Sequence, residues 1–98
     1  MKPYIGLVSK NAESAYGIVF PDAPGCFSAA DTMDELFAMA SEALAGWAEV
    51  MREDGLPLPP RRDLSALRAD AALAAIWADT VMVIAVPVPT GEADALAA

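Results

Sequence analysis

The sequence predicts a small two-layer α+β fold in which one long helix covers a four-stranded sheet. Short apolar runs of strand length stand near both ends of the chain, and one amphipathic run of about 20 residues fills its middle. The chain has 98 residues, enough for one domain and too few for two. One sheet packed against one long helix is the economical way to bury both apolar surfaces.

The first two strand patterns stand close enough together to form a hairpin. Tyr4–Ser9 is almost entirely apolar. Ala15–Phe20 places Tyr16, Ile18 and Phe20 on one face, because side chains alternate between faces along a strand. The short polar connection between the two runs favours antiparallel pairing.

A sharp turn separates the second strand from a short third one. Pro21 and Pro24 fix φ and cannot donate hydrogen bonds to a sheet, while Gly25 tolerates a positive φ. The segment Pro21–Gly25 is therefore predicted to turn. Cys26–Ala30 then fits a third strand, which completes a three-stranded antiparallel meander.

The long helix carries clear signals at both of its ends. Thr32 followed by Glu35 is a capping box, and Gly55 is typical of the position just after a helix, so a helix is predicted over Met33–Arg52. Apolar residues recur along it every three or four positions and form a stripe predicted to pack on the sheet. The stripe comprises Met33, Leu36, Phe37, Ala40, Ala43, Leu44, Trp47, Val50 and Met51.

The next segment is rich in proline and then becomes helical. Leu56–Arg62 is predicted to run extended over the surface, because its prolines exclude a helix and a central strand. Asp63 can cap a second helix that begins at Leu64. This helix ends near Asp70 or continues to Trp77, and the sequence leaves both possibilities open.

Thr80–Val86 is predicted to be the last strand. Its nearly continuous apolar sequence favours burial on both faces or a central position in the sheet. Because the chain reaches it across a helix, we expect it to lie parallel to the first strand by a right-handed crossover. The domain is expected to comprise residues 1–89, with a disordered tail at 90–98.

Charge and cysteine content exclude several classes of function. Fourteen acidic residues face six basic ones, giving a net charge of −8. This balance opposes binding to nucleic-acid phosphates and suits a soluble protein or one with a basic partner. No apolar run approaches the roughly 20 residues needed to span a membrane. The single cysteine, Cys26, allows no internal disulfide, so a cytoplasmic location is expected.

The residues of the usual active sites are missing. The chain has no histidine, so Cys26 lacks the base that would activate it as a nucleophile. Tyr4–Ser9 carries no acidic residue for a two-metal nuclease site, and no phosphate-binding glycine motif occurs. The sequence therefore predicts no catalytic residue, no metal and no cofactor. A remnant of a metal-dependent nuclease remains a disfavoured alternative.

Several short motifs follow one another at a distinctive spacing. They are PDAPGC at 21–26, DTMDE at 31–35, ALAGW at 43–47 and EDGLPLP at 53–59. This pattern resembles the HicB family of antitoxins from bacterial toxin–antitoxin systems. The resemblance implies a partial ribonuclease-H-like fold without the nuclease's acids. It also implies a function: neutralising a cognate HicA-type toxin, a small basic ribonuclease that cuts messenger RNA, by covering its active face.

Candidate contacts with such a partner are acidic residues that the core does not need. Asp22 in the turn and Glu42 and Glu49 on the polar side of the helix are expected to be exposed and to contact the toxin. The alternative is a solitary HicB-like domain that has no toxin and acts as a homo-oligomeric or ligand-binding module. Self-association is expected in either case, because so short a chain buries limited surface. No DNA binding is expected of this chain, since only Thr90–Ala98 follow the last strand.

Overall fold

The computed structural model describes residues 3–10, 13 and 15–88, whose strands form a single four-stranded sheet. The strands are β1 (Tyr4–Ser9), β2 (Tyr16–Val19), β3 (Phe27–Ala30) and β4 (Thr80–Val86). Their order across the sheet is β3-β2-β1-β4, and every neighbouring pair is antiparallel. The α+β class and the three-stranded meander are thereby confirmed. The tail expected at 90–98 lies outside the described residues.

The fourth strand runs opposite to the predicted direction. β4 pairs with β1 antiparallel, with Tyr4 beside Val86 and Val8 beside Met82. One helical crossing after β3 would have returned the chain parallel to β1. The chain instead makes two crossings, first α1 (Met33–Glu53) and then a second helical segment over residues 64–79, and each crossing reverses its direction. The prediction of a parallel fourth strand was wrong because it counted only one of them.

The position of β4 in the sheet also differs from the prediction. β4 is an outer strand, paired only with β1 in the described part of the chain. Val81 and Val83 on one side of it are 60% and 36% exposed, while Val86 is buried. The continuous apolar sequence of β4 therefore belongs to an outer strand with one partly exposed face. The predicted burial on both faces was wrong.

Helix α1 begins and ends as its sequence predicts. The Thr32 hydroxyl accepts a hydrogen bond from the Glu35 amide at 3.3 Å and donates one to the Glu35 carboxylate at 3.0 Å, which is the capping box. At the other end Gly55 adopts a φ of 71°. The Gly55 and Leu56 amides there donate to the Arg52 and Met51 carbonyls, a Schellman motif.

Only part of the predicted apolar stripe of α1 reaches the core. The buried residues of α1 are Leu36, Ala40 and Leu44 from the stripe, together with Ala48, which the predicted stripe did not include. They pack in one cluster with the sheet side chains Tyr4, Val8, Ile18 and Phe20. Met33, Phe37 and Val50 are instead 54%, 51% and 54% exposed. Val50 lies at the margin of the buried side of α1, whereas Met33 and Phe37 share the angular range of Ala40, Leu44 and Ala48 and are exposed in the first turns of the helix.

The second helical segment has three parts. It breaks near Asp70, the earlier of the two ends considered, and then resumes through Trp77, the later one. α2 (Leu64–Ala69) ends at Asp70, a single 3₁₀ turn covers Ala71–Leu73, and α3 (Ala74–Asp79) leads into β4. The Asp70 carboxylate makes the break by accepting a hydrogen bond from the Ala72 amide at 2.9 Å. Asp63 occupies the first cap position, but its side chain makes no capping hydrogen bond.

The two faces of the sheet are covered by different helices. α1 covers the face that carries Tyr4, Val8 and Ile18. Leu7 points to the other face by alternation and is also buried, and α3 packs beside β1 there. Trp77 of α3 donates its indole N–H to the Leu67 carbonyl at 3.1 Å. This bond holds the two short helices together.

Candidate partner-binding groove between helix α1 and strand β3

A groove of about 490 Å³ lies between the outer strand β3 and the facing side of α1. We call it the β3 groove. Its lining residues come from the turn before β3, from β3 itself and from α1. They are Gly25, Cys26, Phe27, Ser28, Met39, Glu42, Ala43, Gly46, Trp47 and Val50.

Large apolar side chains are exposed along the β3 groove. Phe27 is 71% exposed, Val50 54% and Met39 37%. They lie on two different elements, yet all three line the same depression. Contiguous exposed apolar surface of this kind is typical of a site where another protein docks.

Hydrogen bonds fix the walls of the groove relative to each other. The Ser28 hydroxyl of β3 donates to the Met39 carbonyl of α1 at 3.2 Å. The Trp47 indole N–H donates to the Pro24 carbonyl at 3.0 Å, and the Trp47 ring meets the Tyr4 ring edge-on with centroids 5.6 Å apart. Trp47 is half-buried and belongs with the core, as predicted. These contacts hold the turn, β3 and α1 as one rigid wall.

A line of carboxylates borders the groove on α1. Glu42 is exposed and lines the groove, and Glu49 follows seven residues later, about two helical turns along the same side. The expected exposure of Glu42 and Glu49 is confirmed. Glu35 stands seven residues before Glu42 and extends the line, although its side chain also serves the capping box. The spacing of seven could have revealed Glu35 from the sequence.

Asp22 is not the exposed carboxylate that the sequence suggested. Its side chain is only 10% exposed and forms an ion pair with Arg62 at 2.8 Å. It also accepts hydrogen bonds from the Arg62 backbone amide at 2.7 Å and from Arg62 Nε at 2.8 Å. The expectation that Asp22 is exposed and unnecessary to the fold was wrong, because its partner lies 40 positions away in sequence.

The pair Asp22–Arg62 extends to a second carboxylate. Arg62 also bridges to Asp70 at 3.0 Å, and these hydrogen bonds hold the pKa of the Asp70 carboxyl below its usual range. Arg61 stacks over the Tyr4 ring, 4.9 Å from its centroid. The doublet Arg61–Arg62 therefore ties the linker to the turn and to the sheet.

Cys26 lies in the wall of the groove but is chemically quiet. It is a buried thiol, and burial raises its pKa from 9.0 to about 11. A thiol that stays protonated at neutral pH is a poor nucleophile. Cys26 therefore packs as a small apolar side chain.

The described residues offer neither a metal cluster nor a membrane-spanning helix. Across residues 3–10, 13 and 15–88, no three Asp, Glu, Cys or His side chains are grouped so as to hold a metal ion. Over the same residues, no helix has the length and apolar character needed to cross a bilayer.

Comparisons with solved structures agree with this architecture. A chain of the HicA3 and HicB3 toxin–antitoxin complex is 28% identical with a TM-score of 0.68, over 89% of this chain and 98% of that one. The antitoxin HicB of Burkholderia pseudomallei is 27% identical with a TM-score of 0.73, over 90% of this chain and 64% of that one. Its separate N-terminal domain matches at 25% identity with a TM-score of 0.68, over 89% and 98%.

Comparisons of sequence give the same family. An uncharacterized 14.9 kDa protein from the rep-hol intergenic region of Haemophilus phage HP1 (strain HP1c1) is 42% identical over 50 residues, which are 51% of this chain and 38% of the phage protein. The match thus spans less than half the length of that relative. A family described as the HicB-like antitoxin of bacterial toxin–antitoxin systems matches residues 4–91. This chain belongs to the HicB-like antitoxin family.

Proposed function

We propose that this protein neutralises a HicA-type toxin by covering the toxin's active face, with the β3 groove as its docking surface. The observation that carries the proposal is the exposed apolar wall of Phe27, Met39 and Val50, bordered by carboxylates, in a chain of the antitoxin family. The family resemblance supplies the identity of the partner. One structural relative is a chain of a HicA3 and HicB3 toxin–antitoxin complex, which supports a partner of this kind.

Charge supports a basic partner at this surface. Glu42 lines the groove, the exposed Glu49 follows two helical turns later on the same side of α1, and the whole chain carries a net charge of −8. An acidic patch steers a basic protein toward it and accelerates encounter more than it strengthens the final complex. Phe27 and Val50 would supply the affinity, since buried apolar anchors near the centre of an interface carry most of its binding energy.

We propose that binding alone accounts for the activity, without catalysis by this chain. The chain has no histidine to activate a thiol, and burial raises the pKa of Cys26 to about 11, so its thiolate is even scarcer than that of an ordinary cysteine. A rigid antitoxin surface needs only to exclude messenger RNA from the toxin. Asp22 contributes to toxin binding indirectly. It attaches its turn, which includes the groove residue Gly25, to the linker at Arg62.

The test is co-expression with the HicA-type toxin, followed by measurement of association kinetics. The wild type is expected to rescue growth and to co-purify. The variant Glu42→Lys/Glu49→Lys is expected to associate more slowly, with a weaker dependence on salt, because steering charge is removed. Asp34→Lys/Asp79→Lys is the matched control: it changes net charge equally at two exposed acids that do not line the groove.

A second variant separates affinity from steering. Phe27→Ala removes the most exposed aromatic ring of the groove and is expected to raise the dissociation rate while the salt dependence stays unchanged. If both groove variants associate and dissociate like the wild type, the docking surface lies elsewhere. If the wild type binds no HicA-type toxin, a solitary domain that binds another ligand is the better description.

A further inference from the structure

A glycine interrupts α1 at a point where its surroundings do not require one. Gly46 lies well inside the helix, where glycine is the least favourable residue after proline. Among the described residues only Gly25 and Gly55 have a positive φ, so the backbone at Gly46 suits any residue. A Cβ built on Gly46 would meet no heavy atom within 4 Å, whereas one on Gly6 would press against Phe20 at 3.1 Å. Neither backbone conformation nor packing within the described residues explains this glycine.

The missing side chain opens the floor of the β3 groove. Gly46 is exposed and lines the groove, with Ala43 near it on the same helix. Glu42 lies one turn before Gly46 and Val50 one turn after it, so the three positions share one side of α1. The helix backbone can therefore be reached from outside, between a carboxylate and an exposed apolar side chain.

The walls of this opening combine apolar surface with one charge. Met39, Trp47 and Val50 line it, and Glu42 is the one charged residue among its described lining residues. In the described part of the chain, the Glu42 carboxylate forms no ion pair or hydrogen bond with another side chain. An incoming cation can therefore pair with Glu42 without displacing an internal partner.

We propose that a lysine or arginine side chain of the HicA-type toxin lies across Gly46 and pairs with Glu42. Long basic side chains combine an apolar stem with a charged head, which matches apolar walls that end at a carboxylate. The stem packs over Gly46 against Trp47 and Val50, and the head reaches Glu42 one turn away. This contact rests on the proposed function, since the toxin is the partner that supplies the basic side chain.

Glu42 thereby acquires a role that differs from steering. Steering by the acids of α1 changes the association rate, and it needs no direct contact. A pair between Glu42 and a cation enclosed in the groove changes the dissociation rate instead, because the pair must break before the partners separate. Kinetics can therefore separate the two roles.

The first test fills the opening and leaves every charge unchanged. Gly46→Ala and Gly46→Leu are made in the full chain, with Ala38→Leu as the matched control at an exposed alanine of α1 that does not line the groove. The two Gly46 variants are expected to raise Tm, because both new residues favour a helix more than glycine does. Gly46→Leu is expected to weaken toxin binding at least about tenfold, mainly through faster dissociation. Gly46→Ala is expected to weaken it less, and Ala38→Leu not at all.

The second test establishes the charge of the group that enters the groove. Glu42→Gln keeps the size of the side chain and is expected to speed dissociation of the toxin. Each lysine and arginine of the toxin is changed to methionine in turn, and its binding to the wild type and to Glu42→Gln is measured. One of these toxin changes is expected to weaken binding to the wild type and to have little further effect on binding to Glu42→Gln.

Three results would overturn this contact and leave the proposed function standing. The first is a Gly46→Leu chain that binds the toxin as tightly as the wild type. The second is a loss in Glu42→Gln that is independent of every toxin lysine and arginine, which would make the group in the groove apolar. The third is a lower Tm for both Gly46 variants, which would mean that the chain itself packs on Gly46. A wild type that binds no HicA-type toxin would overturn the contact and the proposed function together.

Discussion

The two outer strands of the sheet face different surroundings. β3 has four residues, and its groove is lined by Glu42, with Glu49 two turns further along the same side of α1. β4 has seven uncharged residues, and the depression of about 330 Å³ beside it is lined by Arg68 and by no acid among the described residues. Both edges expose apolar side chains, Phe27 on one and Val81 on the other.

The difference between the edges shows how a strongly acidic chain can select a basic partner at one of two apolar surfaces. An acidic border attracts a basic protein and repels a second copy of the same chain. The uncharged strand β4 lacks that selectivity. The placement of the acids on one side of α1 therefore distinguishes the β3 groove as the surface suited to a basic partner.

The largest expected effect removes both surfaces together. Leu44 is fully buried in the cluster between α1 and the sheet, so Leu44→Asp would bury a carboxylate without a partner. Unfolding free energy should fall on the order of 4 kcal/mol, a large part of the stability of so small a domain. Urea denaturation followed by circular dichroism measures it.

The control for this variant lies on the same helix. Val50→Asp introduces the same charge at a position that is 54% exposed, and it should change the unfolding free energy by less than about 0.5 kcal/mol. Equal losses from both variants would mean that α1 buries the whole predicted stripe and that the β3 groove is closed in solution.

Loss of the Arg62 side chain should lower stability less than Leu44→Asp does, and it should affect only the surface around the β3 groove. Arg62→Met keeps most of the side-chain volume but leaves the 10% exposed Asp22 carboxylate with the backbone amide of residue 62 as its hydrogen-bond donor. We expect a drop in Tm smaller than that of Leu44→Asp, together with slower toxin association, because the turn that carries Gly25 loosens. An Arg62→Met chain that associates as fast as the wild type would show that the turn does not depend on this ion pair.

Local rules predicted the elements that depend on neighbours in sequence. The capping box of Thr32 and Glu35, the end of α1 at Gly55 and the common face of Ile18 and Phe20 all follow from contacts within a few residues. They could be read from the sequence because propensity, spacing and geometry agree at these positions. Two of the four family motifs, at 31–35 and 53–59, contain these capping residues.

Features set by distant contacts could not be predicted in this way. The pairing of Asp22 with Arg62 joins positions 40 apart, and no local signal distinguishes it from a solvated turn. The direction of β4 depends on the count of chain crossings, which the break at Asp70 obscured. The exposure of Phe37 and Val50 depends on how far the rest of the protein extends beneath α1, both along the helix and across it. Periodicity shows which side of a helix is apolar but not how much of that side is covered.

The smallest effect reports on the β3 edge alone and uses Cys26 as a probe. Because burial raises its pKa from 9.0 to about 11, its alkylation rate should keep rising with pH beyond 9, where an ordinary thiol levels off. The folded state disfavours the thiolate, so folding stability should also decline as the pH rises from 9 toward 11. Chain unfolded in denaturant gives the reference rate.

Cys26 lines the β3 groove, so bound toxin should slow its alkylation further. Val83→Lys, which changes an exposed side chain of β4, should leave the rate unchanged. A toxin-bound chain that is alkylated as fast as the unbound one would place the toxin away from the β3 groove. Faster alkylation of Val83→Lys would mean that the rate is not specific to the β3 side.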